Sequence, residues 1–152
     1  MKRVITYGTF DLFHIGHLNL LKRAKSLGDE LIVGVSTDEF NAIKGKFSFI
    51  PYKDRVEIVK SIQYVDKVIP EKSWDQKIED IKKYKIDILV MGDDWSGKFD
   101  FLKDFCDVIY LDRTKDVSST ELKNKLKYLI DIDISKVQES IEVLKKIVEE
   151  FK

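Results

Sequence analysis

Residues 4–24, VITYGTFDLFHIGHLNLLKRA, decide the fold. The first four are mostly β-branched and read as a buried strand, which Gly8 ends. From Ile15 the pattern changes: Leu18, Leu21 and Ala24 recur every three residues, so the segment to Ser26 reads as a helix. Gly28 stands where that helix needs a C-terminal cap. The rest of the chain repeats the alternation. Apolar runs at 31–35, 65–69, 86–91 and 108–111 read as further strands, with helical patterns at 53–62 and 74–84 and a weaker one at 98–105. Strands alternating with helices imply right-handed crossovers and a Rossmann-like, doubly wound α/β fold with a parallel five-stranded sheet. In such sheets ligands gather beyond the carboxyl ends of the strands, so the loops that follow strands carry the function.

Composition narrows the class. A chain of 152 residues, 43% hydrophobic, has ample material for a core, which excludes global disorder. Its 27 Lys+Arg and 27 Asp+Glu cancel, so no nucleic-acid partner is expected. The lone cysteine, Cys106, excludes an internal disulfide and fits a reducing compartment. No apolar run reaches bilayer length and the N-terminus lacks a signal-peptide core, so a cytoplasmic protein with no membrane role is expected.

Both histidines lie in the loop after the first strand. His14 and His17 are three apart and share one face of a helical turn. A helix start offers N–H groups and the positive end of a dipole, and Gly16 would let a phosphate approach the backbone. With Asp11 the histidines could supply three metal ligands, but no fourth lies nearby for a closed zinc site. Walker A and GxGxxG patterns are absent. The least regular stretch, 37–52, carries Lys44, Gly45, Lys46, Phe47, Phe49 and Pro51; it suits a mobile basic flap over an anionic substrate.

Residues 8–17, GTFDLFHIGH, resemble the HxGH signature of the cytidylyltransferases within the nucleotidyltransferase superfamily. Residues 113–120, RTKDVSST, are similar to the family's RTEGISTT element. Trp74, MGDDW at 91–95 and GKFD at 97–100 resemble the glycerol-3-phosphate cytidylyltransferases in particular. The resemblance covers 1–126, expected as the catalytic domain, and leaves 127–152 as a helical extension. It implies transfer of CMP from CTP to sn-glycerol 3-phosphate, the acceptor phosphate attacking the α-phosphorus directly and releasing pyrophosphate. Such chemistry needs positioning and charge neutralisation more than a protein nucleophile.

The resemblance also assigns roles. His14, His17, Lys44 and Arg113 would be catalytic. Thr9, Phe10, Asp11, Gly16, Asp94, Ser118, Ser119 and Thr120 would join the histidines and Arg113 around the nucleotide. Lys44, Lys46, Arg55 and Trp74 would hold the acceptor. Mg2+ would accompany CTP, with Asp11 helping to organise it, and the protein would be a homodimer. Two positions depart from the pattern: Gln63 replaces an arginine and Asp116 replaces a glycine. Lys67 is expected to cover the charge lost at Gln63. The departures keep open another phosphorylated polyol or amino-alcohol as acceptor, and a non-catalytic nucleotide-binding regulatory module as a reading of another class. Beyond 126, Ile130, Ile134, Val137, Ile141, Leu144, Val148 and Phe151 follow an a/d pattern, with Ser135 and Gln138 as a capping box. That stripe would pack on its own domain or join subunits.

Overall fold

The computed structural model describes residues 1–151. In chain order it forms β1 (Arg3–Gly8), α1 (Ile15–Lys25), β2 (Glu30–Ser36), α2 (Asp38–Ile43), α3 (Tyr52–Lys60), β3 (Lys67–Glu71), α4 (Gln76–Tyr84), β4 (Ile88–Gly92), β5 (Asp107–Leu111) and α5 (Ser119–Glu150). All neighbouring strands pair in parallel, in the order β3-β2-β1-β4-β5. The chain winds outward from β1 through β2 to β3, then crosses back to lay β4 on the other side of β1. This reversal opens a crevice beyond the carboxyl ends of β1 and β4, where a ligand is expected.

The central strands read as near-continuous apolar runs because both sheet faces are covered there. Val4, Leu31, Val33, Ile88 and Val90 point to one face, where they pack with Leu21 and Ala24 of α1 and Val59 of α3. Their neighbours Ile5, Ile32 and Leu89 point to the other, against Ile81 of α4 and Leu102. The two-residue period of a strand divides the core in this way.

Three expectations change. The irregular stretch 37–52 contains α2, capped by the Thr37 hydroxyl, which accepts from the Phe40 N–H; six residues are too few to show a helical period. The weak pattern at 98–105 is a run of 3-10 turns, with Asp93–Trp95 forming another. The tail holds one helix with no start at Ser135: its hydroxyl donates to the Asp131 carbonyl one turn back, so Ser135 and Gln138 form no capping box. The N-cap is Ser118, which accepts from the Glu121 N–H at 3.0 Å. No Gly or Pro interrupts the chain from there to Phe151. Two compact units result, Met1–Val117 and the segment from Ser118. Lys152, the end of the expected extension, lies outside the described residues. No described helix is long and apolar enough to cross a membrane.

Candidate active site

The loop that leaves β1 is held in an unusual shape. Phe10 and Leu12 both adopt left-handed backbone, with φ of 54° and 48°, a conformation that stays only when the surroundings enforce it. Phe10 is anchored in the core beneath the loop. The buried Asp11 carboxylate accepts from the N–H groups of Phe49 (2.8 Å) and Ile50 (2.9 Å). Thr9 donates to the Asn41 side chain of α2 at 3.0 Å. The β1 loop and the basic loop after α2 are therefore tied together.

This loop delivers the histidines to the start of α1. His14 is the N-cap: its Nδ1 accepts from the Gly16 N–H at 3.0 Å, while Nδ1 of His17 accepts from the His14 N–H at 3.3 Å. The rings stack with centroids 3.9 Å apart. With each Nδ1 accepting, the neutral rings must carry their proton on Nε2, as donors. Nε2 of His14 is buried and has no partner in the structure. Burial, then the nearby His14, pushes the His17 pKa down to about 3, against a smaller opposing pull from Asp11. Burial and then Arg113 lower His14. The pair thus forms two uncharged donors. Gly16 serves this geometry directly, since a Cβ there would lie 2.8 Å from the His14 ring.

A pH dependence follows. Unfolded His17 takes up a proton near its ordinary pKa of 6.5, whereas the folded protein refuses it until about 3. The unfolded state therefore binds more protons between those values, and stability falls as pH drops through that window. Thermal melts of the parent should show this loss, and His17→Asn should show a shallower one.

Arg113 follows β5, and its guanidinium lies 3.8 Å from the Asp94 carboxylate beyond β4, both half-exposed. Asn19 of α1 donates to the Thr114 hydroxyl at 3.1 Å. These contacts bring the loops after β1, β4 and β5 together. Asp116 has a φ of 62°, the left-handed region that explains a glycine in the family's element. Ser118, Ser119 and Thr120 open α5 in the second unit, with Ser118 as its cap.

The basic side of the site lies at the ends of β2 and β3. Lys44 Nζ donates to the Ser36 hydroxyl at 2.9 Å and sits 4.4 Å from the centre of the Phe40 ring and 5.6 Å from that of Trp74. Burial lowers its pKa to about 8, with Glu71 as the main opposing influence. Lys46 lies over Trp95, and the half-exposed Trp74 packs against Phe40, Trp95 and Phe99. A cavity of about 320 Å³ opens beside Trp74, between Ile78, Trp95 and Phe101. Sequence reasoning missed Lys77, a buried lysine bonded to Glu71 at 2.6 Å and enclosed by Tyr7, Trp74 and Phe99. Its position three residues after Trp74 on α4 was the available signal.

Two expectations are corrected, those for Arg55 and Lys67. Arg55 is fully buried, and four of its N–H bonds go to the Thr9, Ser36 and Ile50 carbonyls and to Asp38. It ties loops together instead of presenting a fork to an acceptor phosphate. Both Asp11 oxygens accept backbone N–H groups of the basic loop, so the carboxylate also ties the two loops together. Lys67 stacks over Tyr84 at the amino end of β3, the edge opposite the histidines, so it does not replace a charge within this subunit's site.

The profile of the cytidylyltransferase-like family matches residues 5–125. The chain belongs to this family. It is 61% identical over 126 residues to the glycerol-3-phosphate cytidylyltransferase of Bacillus spizizenii, covering 83% of this chain and 98% of that one. With the Staphylococcus aureus glycerol-3-phosphate cytidylyltransferase it shares 59% identity, over 83% of this chain and 96% of that one. The crystal structure of the lipopolysaccharide core biosynthesis protein from Thermoplasma volcanium superposes with a TM-score of 0.66 at 28% identity, covering 77% of this chain and 99% of that one. In this cytidylyltransferase-like chain the matched region begins within β1, takes in the other four strands and ends inside α5.

Proposed function

We propose that the protein transfers CMP from CTP to sn-glycerol 3-phosphate, yielding CDP-glycerol and pyrophosphate. The observation that carries this reading is the pair of neutral, Nε2-protonated imidazoles at the carboxyl end of β1, with a lysine cluster beside them at the ends of β2 and β3. An acceptor phosphate oxygen attacks the α-phosphorus, and the bond to the β-phosphate breaks as pyrophosphate leaves. Charge builds on the α-phosphate and leaving oxygens, where hydrogen bonds from His14 and His17 strengthen. Arg113, steadied by Asp94, offers a planar fork to the phosphates. Lys44 and Lys46 hold the acceptor phosphate, and Trp74 packs against its polyol. Mg2+ would accompany CTP and neutralise its phosphates, with Asp11 near enough in sequence to the histidines to help organise it. A cytoplasmic location goes with this reading, supported by the nucleotide substrate and the lone cysteine.

The test is a screen for pyrophosphate release, pairing nucleotides with phosphorylated acceptors. CTP with glycerol 3-phosphate should give the highest kcat/KM. Preference for another phosphorylated polyol or amino-alcohol would move the acceptor, a reading that Gln63 favours. No release with any pair would leave a nucleotide-binding module.

Asp116→Gly should retain the fold, because glycine suits a positive φ. Removing its charge should lower the KM for CTP by about two- to fivefold, the scale of an exposed charge pair.

A homodimer is part of the proposal, supported by the a/d stripe of α5 from Ile130 to Phe151. Truncation after Lys127 should lower the melting temperature and the sedimentation coefficient beyond the loss of mass. If only the melting temperature falls, the stripe serves its own subunit.

A further inference from the structure

We infer that Glu71 is a positioning residue that aims Lys44 at the acceptor phosphate through Ser36 and anchors Lys77 beside it. The inference rests on the acceptor role of Lys44 proposed above. Ser36 ends β2 and Glu71 ends β3, and the two are register partners, so their side chains lie side by side at the carboxyl edge of the sheet. Both are buried, at 0% and 3% exposure. The Ser36 hydroxyl donates to Glu71 Oε2 at 2.5 Å and accepts from Lys44 Nζ at 2.9 Å. Lys44 Nζ itself lies 3.9 Å from that same oxygen. On the other side, Glu71 Oε1 accepts from Lys77 Nζ at 2.6 Å. One carboxylate therefore fixes two ammonium groups from two different helical segments.

Electrostatics gives this arrangement a purpose. Two ammonium groups beside one carboxylate leave one net positive charge in a secluded site, which an incoming anion can neutralise. Taking Glu71 away would leave two buried like charges facing each other, which favours loss of a proton. Lys44 would lose the carboxylate that faces it at 3.9 Å. Burial already pulls its pKa to about 8, Lys46, Lys77 and Arg55 pull the same way, and among the groups facing it Glu71 alone pulls upward. The rings of Phe40 and Trp74 beneath it favour the cation but supply no acceptor for its protons. The family motifs do not include Ser36 or Glu71, and their alignment exists only once β2 and β3 are paired.

The test compares full-length parent, Glu71→Gln, Glu71→Asp and Ser36→Ala by steady-state kinetics between about pH 6.5 and 8.5, a range that brackets the Lys44 titration. Glu71→Gln should raise the KM for glycerol 3-phosphate about tenfold or more at the alkaline end and less at the acidic end, while the KM for CTP stays within about twofold. Ser36→Ala, which removes the relay and keeps every charge, should raise the acceptor KM by about three- to fivefold and lower the melting temperature modestly, because Glu71 and Lys44 each lose a buried partner. Glu71→Asp should recover part of the loss. A folded Glu71→Gln with parental acceptor KM at every pH would overturn the inference, as would equal rises in both KM values. If Glu71→Gln does not fold, a Ser36→Ala enzyme with unchanged acceptor KM overturns it. These outcomes presuppose a parent that turns over CTP and glycerol 3-phosphate; a parent that does not would refute the proposed reaction itself, and the inference with it.

Discussion

His17→Ala is expected to lower kcat by about two to three orders of magnitude, the usual loss when one donor to a developing charge is removed. The KM for CTP should change little, because the bond matters most as the α-phosphorus is attacked. The reason lies in the ring's state: its Nδ1 is occupied by the His14 N–H, and burial keeps it neutral, so Nε2–H is what it can offer a phosphate. His17 also completes the cap of α1, a contribution of about 1 kcal/mol to stability. Melting curves recorded beside the kinetics separate the two effects. Turnover within a few-fold of the parent in a folded variant would remove His17 from the chemistry.

Arg55→Ala should destabilise the fold by about 3–5 kcal/mol, the scale of breaking a buried charged network. Its guanidinium donates to the carbonyls of Thr9 (2.6 Å), Ser36 (2.8 Å) and Ile50 (2.8 Å), and to Asp38 at 2.7 Å. Those carbonyls belong to the loops after β1 and β2 and to the loop before α3, so truncation leaves three acceptors unmatched. Urea denaturation measures the loss directly. A variant with parental stability and a raised acceptor KM would instead return Arg55 to the acceptor site.

Much of this molecule was legible in its sequence because the strands are buried on both faces. Runs such as 31–35 and 88–91 are apolar throughout, and their alternation with helices pointed to a doubly wound parallel sheet, although the strand order was not written in them. The site was legible where chemistry is written in adjacent residues: His14, Gly16 and His17 form a single turn. It was hidden where partners come from separate elements. Arg55 looks the same in sequence whether it faces solvent or three carbonyls. Lys77 sits in a charged run whose one hint is its spacing from Trp74, and Glu71 gains its meaning only from the strand next to it. The tail misled for a related reason, since Ser135 and Gln138 match a capping pattern that an unbroken helix tolerates in its interior.

The aromatic wall of the basic pocket has a practical consequence. The chain has two tryptophans, and both belong to that wall, with ring centroids 5.5 Å apart. Lysine ammonium groups lie over both indoles: Lys44 and Lys77 over Trp74, Lys46 and Lys98 over Trp95. Indole emission responds to nearby charge, and here every ultraviolet-excited tryptophan photon originates beside the lysines that would move or change partners when a phosphate arrives. If the acceptor phosphate binds where it is proposed to, tryptophan emission should report its arrival without a label.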